Sequence, residues 1–247
     1  MGSEPTMGQA PGDALRAHQV VLFAVASLAE LRESDTGSHL LRVQHYVRAL
    51  AHKLSTHPLL ASQLTPAYID ALCASVCMYD LGTVAIPDRI LLKPGRLTAE
   101  ELHIMCTHTT LGYEAIVRAE QALGTLSPML TFAKELTLSH HEKWNGKGYP
   151  KGLQETQIPL SARLVAVADV YDALISNKIY RQGMPHEAAV GVIFSERGQH
   201  FDPDVVDAFM DLLPEFESIA TRFADSESDM QNKIDYMANA IAEFAEL

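Results

Sequence analysis

The sequence predicts an all-α protein. Three observations carry that expectation. Apolar residues recur at three- and four-residue steps through most of the chain, the spacing of a helix face. Period-2 alternation never persists long enough to mark a strand. Of the 247 residues, 47% are hydrophobic and 20% charged, enough to build a core and unlike a disordered, collagen-like or disulfide-stapled chain. No internal repeat or low-complexity block interrupts the pattern.

The elements follow in order. Residues 1–13 are small and polar, with no apolar signal core, and read as a flexible arm or an expression remnant. A helix is expected from about Ala14 to Leu31, where Val20, Val21, Ala24, Leu28 and Leu31 share a face. Ser34 to Ser38 breaks it, and a second helix opens near Ser38, a plausible N-cap, and runs through Leu54. A third starts at Pro66, whose fixed φ suits a first turn, and reaches Met78 or Asp80. Leu81 to Asp88 is too short and interrupted for a long helix. Thr98 with Glu100 and Glu101 marks another start. Further helices are expected over 110–123, 128–141, 160–176, 186–196, 203–213 and 227–245. Trp144 to Gly152 holds Gly146, Gly148, Gly152 and Pro150 and cannot be helical. One domain over 14–224, with its core about 35–213, and a C-terminal helix over 225–247 complete the outline. The apolar positions Ile234, Met237, Ile241 and Phe244 suit packing back onto the domain, or a homodimer contact.

Composition narrows the function classes. With 19 basic and 31 acidic residues the net charge is −12. Sequence-independent binding to DNA or RNA needs clustered cations, so it is disfavoured. A small phosphate-bearing ligand is not, since it needs only a few. Cys73, Cys77 and Cys106 form no disulfide framework and fit a reducing, cytoplasmic setting. No apolar run reaches the length of a membrane span.

The chemistry lies in the company the histidines keep. His39 opens a helix four residues after Asp35. Asp80 ends an apolar helix. His108 sits in Cys106-Thr107-His108-Thr109-Thr110, just ahead of another. His140, His141 and Glu142 end a helix just before the glycine-rich loop. Asp169 sits within Val165-Ala166-Val167-Ala168-Asp169-Val170, where an unpaired carboxylate is costly. Imidazole with carboxylate is a ligand set for hydrolytic metals. Adjacent His140 and His141 diverge by about 100° on a regular helix, so both approach one ion only at a distorted helix end. On residue chemistry alone, a metal cluster and scattered structural histidines both remain open.

Order and spacing go further. The chain reads His39-Leu-Leu-Arg42, Tyr79-Asp80-Leu-Gly82, Ile86-Pro87-Asp88 through Leu91-Leu92-Lys93-Pro94-Gly95-Arg96-Leu97-Thr98, and His108-Thr-Thr-Leu-Gly112. It continues His140-His141-Glu142-Lys-Trp144-Asn-Gly146-Lys-Gly148-Tyr149-Pro150, Asp169-Val-Tyr-Asp172, and His200-Phe201-Asp202-Pro203. Over about residues 15–224 this resembles the HD-GYP family of HD-domain metallophosphohydrolases. The resemblance implies a single HD-type helical domain that hydrolyses cyclic di-GMP to pGpG or GMP at a centre of two or three metals, iron or manganese. It implies metal ligands at His39, the HD pair, His108, His140, His141 and Asp169, with Asp35 where trinuclear members carry a glutamate. One metal site would use His39, the HD pair and Asp169. The other would use Asp80, His108, His140 and His141.

Two departures stand out. Tyr79 replaces the histidine of the HD pair, and Thr83 replaces the active-site lysine. Tyrosine rarely stands in for imidazole on a divalent ion, although phenolate binds ferric iron, and threonine supplies no cation. One metal site is therefore expected to be intact and the other damaged, with fewer than the full two or three ions. Two-metal hydrolysis needs both ions, so a catalytic role remains for Asp80 only if the altered site is tolerated. Lys178 and Arg181 match the family's phosphate-contacting cations. Trp144 could stack on a guanine or brace the loop, and bracing is favoured. Tyr149 and Pro150 shape the loop, which in the family also docks GGDEF-domain proteins. An upstream receiver domain, frequent in the family, lies outside this sequence. The expectation is a degenerate domain that binds metal and cyclic di-GMP, with weak or no phosphodiesterase activity. The alternatives are an active phosphodiesterase and a pure scaffold.

Overall fold

The structure is a computed structural model. It describes residues 11–30, 32, 38–124, 126–177, 182–229, 231–232 and 234–235, with side chains of the first helix from Gln19 onward. The helices are α1 Pro11–Glu30, α2 His39–Leu54, α3 Pro66–Ser75, α4 Asp88–Leu91, α5 Ala99–Cys106 and α6 His108–Leu123. They continue as α7 Pro128–Ser139, α8 Leu160–Ile175, α9 His186–Ser195, α10 Pro203–Met210 and α11 Leu213–Arg222. Among the described residues there is no strand, only two isolated bridges, Asn145 with Gln154 and Arg197 with Phe201.

Local chemistry sets four of the helix starts. Thr65 accepts from the Tyr68 amide ahead of α3, Ser127 from Leu130 ahead of α7, and Asp202 from Asp204 ahead of α10. Each precedes a proline in the first turn. Thr98 and Glu101 form a reciprocal capping box on α5.

Several boundaries differ from expectation. Ser38 sits in helical backbone and makes no side-chain cap, so α2 opens without one. The third helix stops at Ser75, and Val76–Met78 tightens into a 3₁₀ turn. Leu81–Ala85 is a second such turn. The sixth helix begins at His108, not Thr110. The segment expected as 203–213 divides, and α11 follows as a separate helix with Pro214 in its first turn. The C-terminal helix over 227–245 lies largely outside the described residues.

The core centres on α2 and α8. Helix α8 is apolar almost all round, with Leu164, Val165, Val167, Ala168 and Tyr171 buried, as a helix surrounded by others must be. Tyr46, Tyr171, Phe209 and Phe216 form an aromatic cluster beneath them. Tyr46 stacks on Phe216 at 4.5 Å, and Tyr171 meets Tyr46 edge-on at 5.3 Å. Two glycines bring separate elements to the site. A Cβ on Gly82 would lie 1.9 Å from the His108 carbonyl oxygen, and one on Gly112 would lie 3.0 Å from the Gly82 nitrogen. Only paired glycines let the Leu81–Ala85 turn lie against α6, which places Asp80 beside His108.

Candidate metal centre

Four side chains converge at one end of the bundle. One ligand atom each from Asp80, His108, His140 and His141 falls within 4.8 Å of all the others. Asp80 Oδ1 lies 3.1 Å from His140 Nε2 and 3.3 Å from His108 Nε2, and those two nitrogens lie 3.4 Å apart. Helix α7 ends at Ser139, and His140 occupies its C-cap. The helix end therefore turns both adjacent imidazoles to the same place, with ring centroids 4.1 Å apart.

The donor set fits a divalent cation. His108 Nδ1 donates to the Met105 carbonyl and His140 Nδ1 to the Leu136 carbonyl, each at 2.8 Å. With a cation in place, each such bond would set the tautomer that turns an Nε2 lone pair inward, as ligand histidines are usually held. Two such lone pairs facing each other and a carboxylate repel unless protons or a cation lie among them. Burial pushes the His141 imidazole well below its ordinary range, reinforced by His140, so it is neutral and able to ligate. Burial pushes Asp80 up, but hydrogen bonds from His108 and His140 outweigh it and hold the carboxyl well below its ordinary range.

The neighbouring position is built differently. His39, at the start of α2, places Nε2 3.5 Å from Asp169 Oδ1. The Tyr79 hydroxyl stands between them, 2.6 Å from His39 Nε2 and donating to Asp169 Oδ1 at 2.7 Å. Tyr79 is fully buried and its ring meets that of His140 edge-on at 5.0 Å. Burial pushes the Asp169 carboxyl up, and Asp80 adds to this, against lowering by His39 and Tyr79. Thr83 turns inward, and its hydroxyl donates to the Asp80 carbonyl at 2.8 Å, so it completes a turn and presents no charge.

Behind His39 lies a pair to which sequence reasoning gave no role. Asp172 is fully buried and accepts from His39 Nδ1 at 2.8 Å. Arg42 grips both Asp172 oxygens, Nε to Oδ1 at 2.7 Å and Nη2 to Oδ2 at 2.9 Å. Its other donors reach Ser176, the Phe223 carbonyl and Asp225. All five guanidinium N–H groups are thus used. Burial pushes Asp172 up, but His39 and Arg42 bring it down to about 2. The available signal was spacing. Arg42 follows His39, and Asp172 follows Asp169, by three residues, which puts each pair on one helix face.

The glycine-rich loop folds over the cluster. Buried Glu142 accepts from the Lys151 and Leu153 amides at 2.8 and 2.9 Å and ties the loop down. A Cβ on Gly148 would lie 2.3 Å from the Lys143 nitrogen, and Gly146 has φ of +76°. Tyr149, which precedes Pro150, stacks on His141 at 4.8 Å. Trp144 donates its amide to the His200 carbonyl at 2.9 Å, and Arg163 lies 5.9 Å over its ring. Asp35, Lys178 and Arg181 lie outside the described residues.

The described residues thus form an all-helical bundle with a His/Asp cluster that could hold a metal ion. The sequence model of the HD domain matches residues 24–205, and the chain belongs to that family, within its HD-GYP branch. A probable cyclic di-GMP phosphodiesterase of Vibrio cholerae is 49% identical over 219 residues, 89% of this chain and 50% of that protein. A cyclic di-GMP phosphodiesterase of Thermotoga maritima is 36% identical over 208 residues, 84% of this chain and 53% of that protein. A 3'3'-cGAMP-specific phosphodiesterase of V. cholerae is 35% identical over 205 residues, 83% of this chain and 37% of that protein. The chain thus spans about half or less of the length of these relatives. Among solved structures, a cyclic GMP-AMP-specific phosphodiesterase of V. cholerae shares the fold with a TM-score of 0.53 at 17% identity, over 89% of this chain and 60% of that one. Among the described residues, no helix is long and apolar enough to cross a membrane.

Proposed function

We propose that this chain is a degenerate HD-GYP domain that binds metal and a cyclic dinucleotide, cyclic di-GMP above all, and hydrolyses it weakly or not at all. The observation that carries the reading is the Tyr79 hydroxyl between His39 and Asp169. It satisfies the two side chains that would otherwise share a second ion. Asp80, His108, His140 and His141 would hold the remaining ion, iron or manganese. A bound ion there supplies positive charge and acidifies a water. Asp172 and Arg42 orient His39, Glu142 fixes the loop that covers the cluster, and Thr83 offers the reacting phosphate no cation. Lys178 and Arg181 would supply the phosphate contacts, and the glycine-rich loop the surface for a GGDEF-domain partner.

A second reading, an active cyclic di-GMP phosphodiesterase, is favoured by the 49% identical relative of that name. Turnover of cyclic di-GMP by iron- or manganese-loaded protein separates the two. The degenerate reading expects little pGpG or GMP from the parent and more from Tyr79→His with Thr83→Lys. Neither change alone should suffice, because residues acting as a unit are non-additive. A parent as fast as the double variant overturns it.

A further inference from the structure

Helix α1 has two apolar faces, and the domain uses one. Leu22, Phe23 and Ala26 pack against the core cluster, and Ala29 is buried as well. The opposite face leaves Val20 68%, Val21 60%, Val25 49% and Leu28 64% exposed, with Ala24 exposed among them. A surface helix normally turns charged and polar residues outward. Here no Asp, Glu, Lys or Arg occurs from Ala17 to Ala29. Single exposed aliphatics need no explanation, but a continuous stripe does. The stripe also runs on into a groove of about 560 Å³, where Val21 and Leu22 face Ala115, Ala119 and Leu123.

We propose that this face is a homodimer surface, with α1 of one copy laid against α1 of a second. Three arguments select a second copy as the occupant. The first is spacing. Val21, Ala24 and Leu28, all exposed, follow one another at three and four residues, the seam spacing of paired helices. A single seam of this kind is self-complementary, so it closes as a two-fold pair. The second is charge. The chain carries −12, and two acidic copies approach most easily through a helix face without charge, whose adjoining groove holds only one charged residue, Glu120, itself paired with Lys134. The third is area. At roughly 100 Å² of apolar surface per fully exposed aliphatic side chain, Val20, Val21, Val25 and Leu28 with Leu123, 77% exposed beside the groove, present roughly 320 Å². Interfaces are about 60% apolar, so a symmetric pair buries roughly 1,100 Å² in total, above the roughly 1,000 Å² that a specific interface should clear. A lipid surface fits less well. Helices that lie on membranes carry Lys and Arg along their polar face, and this one offers none over that stretch.

Sedimentation equilibrium on the full chain across a dilution series is the test. The expected result is a monomer–dimer equilibrium. Val21→Glu with Leu28→Glu should weaken it by at least about 100-fold, since buried like charges then face each other across the seam. Far-UV circular dichroism checks that the variant folds. Should it not fold, Ala24→Cys decides: mild oxidation should link Ala24→Cys into dimers and leave Leu59→Cys, exposed in the α2–α3 connection and outside the α1 stripe, unlinked. A parent that stays monomeric overturns the proposal, as does a dimer unaffected by the double substitution or an Ala24→Cys protein that does not cross-link. So does a monomeric parent whose binding to phosphatidylcholine or phosphatidylserine vesicles is abolished by the same double substitution, which would assign the face to lipid.

Discussion

Tyr79 can be changed in two directions with opposite consequences. Tyr79→Phe keeps the ring against His140 and removes only the hydroxyl. His39 Nε2 and Asp169 Oδ1 then lose bonds of 2.6 and 2.7 Å in a site where Tyr79 is fully buried. Losing a hydroxyl between two polar partners should cost about 1–3 kcal/mol, at the lower end if water enters. Guanidinium unfolding measures this directly. Tyr79→His removes the hydroxyl and supplies an imidazole. Together with His39, Asp80 and Asp169, that new imidazole completes a set competent for a second divalent ion. Binding to the folded state at 100 times Kd stabilises by about 2.7 kcal/mol, which for a chain of this size is roughly 5–11 °C in Tm. With manganese, the parent should gain one such increment and Tyr79→His a second. Elemental analysis should move from about one ion per chain toward two. A Tyr79→Phe protein as stable as the parent, or a Tyr79→His protein with the parent's metal content, would refute the idea that the hydroxyl stands in for an ion.

The other predictions rest on neighbouring groups. Asp172→Ala should cost about 3–5 kcal/mol in denaturant unfolding, because it leaves the buried Arg42 guanidinium without its bidentate partner. Asp172 is brought down to about 2 in the fold from 3.8, so its contribution, about 2 kcal/mol, is present above pH 4 and lost as pH falls toward 2. The same variant should flatten that part of the stability–pH curve. His141→Ala should remove most of the bound metal measured by elemental analysis, since it deletes one of four converging ligands. Lys178→Ala and Arg181→Ala should each weaken cyclic di-GMP binding by roughly 10- to 150-fold in calorimetry, the cost of one charge-assisted phosphate contact. Unchanged affinity in both would place the ligand elsewhere.

The helices were legible where their signals were local. Thr65-Pro66, Thr98 with Glu101, Ser127-Pro128 and Asp202-Pro203 each cap a helix through atoms within three residues, so no tertiary knowledge was needed. Ser38 shows the limit of the same rule. Its residue type is right for a cap, but the backbone there is already helical and the hydroxyl makes no cap bond. The break between α10 and α11 was missed because Phe209, Met210, Leu212 and Leu213 read as one apolar run. Pro214, in the first turn of α11, was the available marker.

The site divides along the same line. His108, His140, His141 and Asp80 were implied as one ligand set only by the family resemblance that their order and spacing carry, since residue chemistry alone left scattered structural histidines open. The support behind His39 left only a weak signal, the three-residue spacing from His39 to Arg42 and from Asp169 to Asp172, because Arg42 and Asp172 meet across 130 residues and each alone passes for an ordinary surface charge. What the sequence showed at Tyr79 was a subtraction, one imidazole fewer. The fold turns that subtraction into a substitution. Tyrosine reaches farther than histidine, and from the end of the Val76–Met78 turn that reach carries its hydroxyl to hydrogen-bond distance of both His39 and Asp169. A shorter residue at position 79 would leave a histidine and a buried carboxylate facing each other at 3.5 Å with nothing between them, and Asp169, already pushed up by burial, would stay protonated more readily. The tyrosine therefore does more than mark a lost ligand. On the proposed reading, its hydroxyl ties His39 to Asp169 where a second ion would otherwise hold them.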